Sequence, residues 1–155
     1  MRDKRFIAEH RGGPLSVENH RQIARWACNC ARHLIHMPGV EPDPTVEQVL
    51  MTAKEWCDGS ATVGDARQAS LMAISLANES ANPVLVALAR CAGHAAATAH
   101  MADHALEAAM YALKAVKLAG KPVEEERKWQ NSQLTEEIRV LVLSARQEKE
   151  SHFRL

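Results

Sequence analysis

Aromatic side chains are scarce in this chain: two Phe, three Trp and one Tyr, 4% of the residues. Half-buried strands draw on aromatic and β-branched residues in alternation with polar ones. No segment alternates in that way over a strand's length, so a sheet fold is excluded. An excess of charge of either sign is missing too. Nineteen Lys and Arg balance nineteen Asp and Glu, and the pI is near 7.1. A nucleic-acid binder needs a basic footprint, so no nucleic-acid partner is expected. No run reaches the roughly 20 uninterrupted apolar residues that a bilayer span needs, so no membrane partner is expected. The opening residues, Met1 to Phe6, are charged and no apolar signal region follows, which makes the cytoplasm the expected location.

Cysteine is also sparse. Cys28, Cys30, Cys57 and Cys91 include one Cys-x-Cys pair and no Cys-x-x-Cys. On a helix, two positions lie about 200° apart, so Cys28 and Cys30 point away from each other. In a reducing compartment all four are expected to be small buried hydrophobes rather than a disulfide framework.

What the chain has in quantity is alanine, the strongest helix former. Its 7 glycines and 6 prolines fall largely where helices should end. A short element over 2–10 stops at Gly12-Gly13-Pro14. Ser16 caps a helix to about His36. Thr45 to Gln48 reads as a capping box opening a second helix, with Gly59 as its left-handed terminator. Thr62 and Asp65 start a third, to about Glu79. Asn82 and Pro83 start a fourth. From Ala81 to Leu113 the only charged side chains are Arg90, Asp103 and Glu107. Such a segment belongs at the centre of a bundle, and Gly93 with its alanine neighbours lets backbones approach closely.

One unbroken helix from Pro83 to Ala119 would measure about 55 Å. A domain of this length has a radius of gyration nearer 15 Å. A break is therefore expected between Thr98 and Asp103, with Asp103 as cap. Gly120-Lys121-Pro122 ends the pair. Glu124 to Glu126 begin another helix, where they favour its dipole, and Thr135 precedes the last. The polar residues 149–155 are expected to fray. The expected architecture is all-α: one domain over 1–155, a compact bundle of about six or seven helices around a central Ala-rich hairpin.

Reactive side chains concentrate in the block from His94 to His104. His100 and His104 share one helical face at a spacing that suits a divalent metal. His94 lies about 120° around the axis and joins them only across a bend. His94, His100, Asp103 and His104 are thus the candidate ligands of a divalent ion such as zinc. The preferred reading is structural: buried neutral imidazoles bonded to groups freed at the helix break, with no cofactor and no catalytic residue. Trp26, Cys30 and His33 form a stripe on the first long helix. It is expected to pack on the central helix and bring His33 near the cluster. An internal ion pair is the default for Arg90, with Asp65, Asp103 and Glu107 as the available acids. Phosphate-binding loops, the dinucleotide glycine fingerprint and Gly-x-Ser-x-Gly are all missing.

Several segments together resemble a known family. They are Trp26-Ala-Cys-Asn-Cys30-Ala-Arg-His33, Gly64-Asp65-Ala-Arg67, Ala92-Gly93-His94-Ala-Ala-Ala-Thr98-Ala-His100, Asp103-His104-Ala through Tyr111, and Glu126 to Leu134. The chain resembles the immunity proteins of bacterial polymorphic toxin systems, and the likeness spans most of Arg21 to Val142. It implies a short all-helical binder that neutralises a cognate toxin by direct contact, and it assigns no catalytic residues. The sequence offers two places for such a contact, Trp129 with its charged neighbours and the loop from Met37 to Pro44. An enzyme or metal-dependent sensor using the histidine cluster is the alternative. A self-associating homodimer is a third possibility.

Overall fold

The computed structural model describes residues 2–153. Residues 154 and 155 of the tail expected to fray lie outside the described residues, as does residue 1. Among the described residues, seven α-helices follow two short 3-10 turns, Lys4–Phe6 and Glu9–Arg11. In chain order they are α1 (Val17–Ile35), α2 (Pro44–Cys57), α3 (Val63–Glu79), α4 (Pro83–Ala97), α5 (His104–Leu118), α6 (Val123–Ser132) and α7 (Glu136–Glu150). Among the described residues there is no strand, only an isolated bridge between Ala8 and Leu15. The all-α bundle expected from composition is what forms.

Local chemistry sets most of the helix starts. Ser16 accepts from the Asn19 amide, and Thr62 and Asp65 form a reciprocal capping box. Asn82 caps α4 with Pro83 in the first turn, where its missing amide leaves no bond unmade. α2 departs from expectation. It begins at Pro44, and Asp43 rather than Thr45 supplies the cap, accepting from the Thr45 and Val46 amides. Gly59 follows the end of α2 at φ +80°, the left-handed conformation that glycine adopts without steric cost.

α4 and α5 form the hub. α4 packs against α1, α2, α3 and α5, while α5 packs against α1, α4, α6 and α7. Between them they bury a continuous set of alanines with Leu88, Cys91, Leu106, Met110, Leu113 and Val116. Small side chains permit close approach. A Cβ on Gly93 would lie 3.2 Å from the Ala73 Cβ of α3 and 3.7 Å from the Ser70 carbonyl. The four cysteines are free and buried. No helix among the described residues is long and apolar enough to cross a membrane.

The break between α4 and α5 falls over Thr98 to Asp103, as the length argument requires. Asp103 occupies the cap position of α5 without making a side-chain cap hydrogen bond. Its carboxylate turns instead to Arg2, 3.7 Å away. Thr135 likewise makes no cap bond to α7, and its hydroxyl donates to Gln22 Oε1.

Candidate functional site

The turn between α4 and α5 folds the chain back so that residues ten apart meet. His94 Nδ1 and His104 Nδ1 stand 2.9 Å from each other. Glu107, one turn into α5, places Oε2 3.2 Å from His94 Nε2, and its Oε1 accepts from Lys149 of α7 at 2.9 Å. Tyr111 stacks on the His94 ring at 5.3 Å between centroids, and Phe153 meets Tyr111 edge-on. Thr98 closes the end of α4 by donating its hydroxyl to the His94 carbonyl. His20 of α1 then holds the turn, donating from Nε2 to the Thr98 carbonyl at 2.6 Å.

Burial governs the electrostatics here. It pushes His94 down to about 4, helped by His104, Lys149 and Arg90 and opposed by Glu107. His94 is accordingly a neutral imidazole near pH 7. Burial also lowers His100, with His104, Arg67 and Arg11 adding to the effect. For Glu107 burial acts upward. The Lys149 hydrogen bond and the neighbouring imidazoles outweigh it and leave the carboxylate below its usual range. Burial lowers His20, and its bond to Thr98 offsets part of that shift.

Of the four residues singled out in sequence, His94 and His104 come together. His100 lies beside His104 at 5.4 Å between centroids, with its Nδ1 buried and without a hydrogen-bond partner. Asp103 faces Arg2, and its Oδ1 is likewise buried and unpartnered. Among the described residues, the group able to converge on one ion is His94, His104 and Glu107, whose donor atoms lie within 4.8 Å of one another. Glu107 was overlooked as a ligand. The available signal was its place three residues after His104 on the same helical face.

The Trp26 stripe meets the expectation in part: α1 packs on α4 and α5, and Cys30 is buried beside Cys91 of α4, but His33 does not reach the central cluster. Trp26 Nε1 donates to the Gln130 carbonyl of α6. His33 bonds Glu126 through Nδ1 at 2.7 Å and stacks on Trp129 at 3.6 Å between centroids. Both partners lie on α6, so the polar ends of Trp26 and His33 tie α1 to that helix and leave His33 outside the central cluster. Arg90 makes no ion pair among the described residues. The acids expected for it are already engaged: Glu107 with Lys149, Asp103 with Arg2, and Asp65 in the capping box.

These contacts also bear on the two expected docking places. Trp129 is half-buried under His33, and Met37 and Val40 of the connecting loop pack on the core. Large apolar side chains are exposed on several helices, Val140 of α7 among them at 81%, and three of them gather on one face of α3. This helix buries Ala66, Ala69, Ser70, Ala73 and Ala77 and turns Leu71, Met72 and Ile74 outward at 50, 45 and 47% exposure. At 100° per residue those three span about 160° of the circumference, centred opposite the alanine seam. The signal was present in sequence, because once the small residues are assigned inward the large ones can only face out.

A wide groove of about 830 Å³ opens between the N-terminal turns, the start of α5 and the end of α7. Arg2, Arg5 and Lys149 alternate there with Asp3, Asp103 and Glu148, a lining of mixed sign.

No curated protein and no solved structure matches the chain. Comparison with protein-family models matches residues 13–137, and the chain belongs to the family described as Imm-5 like putative immunity protein.

Proposed function

We propose that this chain neutralises a cognate bacterial toxin in the cytoplasm by direct protein–protein contact, without catalysis, and that the outward face of α3 is the contact. Membership of the immunity family over 13–137 carries the reading. The α3 face supports the choice of surface. Leu71, Met72 and Ile74 lie on one side of a helix whose other side is held against the hub. Each fully buried Leu, Ile or Met side chain contributes about 1.5–3 kcal/mol. Three such anchors at the centre of a patch of roughly 800 Å² suffice for a specific complex.

Co-expression with any toxin found encoded beside this gene tests the proposal. Growth should be restored, and toxin and chain should purify together. Persistent toxicity at confirmed expression of the folded chain contradicts it.

A further inference from the structure

The imidazole pair at the α4–α5 turn points to a second property, independent of toxin binding. We propose that His94, His104 and Glu107 form a binding site for a divalent transition-metal ion of the zinc class.

The geometry supports this in three steps. Glu107 is an acceptor facing His94 Nε2 at 3.2 Å, so that nitrogen carries the proton and Nδ1 keeps its lone pair. His104 Nδ1 faces that lone pair at 2.9 Å and donates to it. The two rings are thus held with nitrogens aimed at one point, sharing a single proton. A zinc ion bonds imidazole nitrogen at about 2.1 Å, and two such ligands in a tetrahedral shell stand roughly 3.4 Å apart. The rings need separate by only about half an ångström to admit it. On binding, His104 moves its proton from Nδ1 to Nε2 by way of solvent, so both rings remain neutral and the charge balance is unchanged.

Glu107 completes the set. One donor atom from each of His94, His104 and Glu107 lies within 4.8 Å of the other two, and water takes the fourth position. The residues of the site come from two helices joined by a six-residue turn, so the ion would clamp the hub at its one break. In the absence of an ion, Lys149 supplies the positive charge, with Nζ 2.9 Å from Glu107 Oε1. Lys149 and the ion therefore compete for the same carboxylate. That competition gives the proposal a signature that hydrogen-bonded imidazoles alone lack.

The test is titration of chelator-treated full-length chain with zinc chloride by calorimetry, with cobalt(II) as the spectroscopic probe. One zinc per chain should bind and raise the Tm. Glu107→Gln should weaken binding at least tenfold, and His104→Gln should abolish it. Lys149→Gln, which removes no ligand, should tighten binding severalfold. The cobalt spectrum should lack a thiolate charge-transfer band. Absence of binding at micromolar zinc overturns the proposal. So does binding unchanged in His104→Gln, or a cobalt spectrum with thiolate character, since either places the ion away from the proposed ligands. If Glu107→Gln or His104→Gln fails to fold, as read by circular dichroism, Lys149→Gln decides: unchanged or weaker binding overturns the proposal.

Discussion

α3 and α4 are both rich in alanine, and they pack directly against each other. α4 is enclosed over most of its circumference: Ala87, Leu88, Ala89, Cys91, Ala92, Gly93, Ala95, Ala96 and Ala97 are all buried. α3 buries a single seam of small residues and leaves Leu71, Met72 and Ile74 in solvent. The usual amphipathic order, large residues inward, is inverted. Alanine inside permits close approach to Gly93 and secures α3 to the hub. The large side chains outside, about half exposed, stand away from that seam. The difference separates residues that hold the fold from residues available to a partner.

Substitutions can break or sharpen this contrast. The largest effect should come from Leu88→Ala on α4, which opens a cavity in the hub and should cost about 2–5 kcal/mol in urea unfolding. Ala73→Leu should cost about 1–3 kcal/mol by overpacking the seam beside Gly93. If Ala73→Leu proved neutral, the close α3–α4 approach would be wrong.

A smaller effect concerns pH. His20 is buried and its folded-state pKa lies below the usual 6.5. Below 6.5 the unfolded chain takes up a proton at this position before the folded one does. Stability from this group is therefore complete above 6.5 and falls as the pH drops toward the lowered value. His20→Gln keeps a donor for the Thr98 carbonyl and does not titrate. Its urea stability should fall less than that of the wild type between neutral pH and about pH 5. An identical decline in both would remove His20 from the account. The smallest effect is expected on the outer face, where Leu71→Ala and Ile74→Ala should each change stability by no more than about 0.5 kcal/mol. A loss as large as that of Leu88→Ala would show that the face is packed within the chain.

How much of this was legible in the sequence depends on the range of the interaction. Ser16, Thr62 and Asn82 cap their helices through bonds two or three residues long, and the length of the Ala-rich segment alone required a break before His104. Asp43 was obscured by the prolines around it, because an extended connector and a capped Pro44 look alike until the helix direction is known. Asp103 shows the limit more sharply. Its place before α5 resembles a cap, yet its carboxylate is drawn to Arg2, a hundred residues away in sequence. The same holds for His33, whose helical face was read correctly while the partner helix, α6, could not be. Periodicity says which side of a helix is buried. It does not say against what.

The proposed function is tested most directly by a double substitution on the outer face, Leu71→Asp with Ile74→Asp. The circular dichroism and Tm of the variant should match those of the wild type. In co-purification with the toxin that co-expression identifies, the wild type should form a stable complex and the variant should bind at least a hundredfold more weakly, about 2.8 kcal/mol. Equal binding by the two proteins would contradict the assignment of this face, and no complex with the wild type would contradict the function itself.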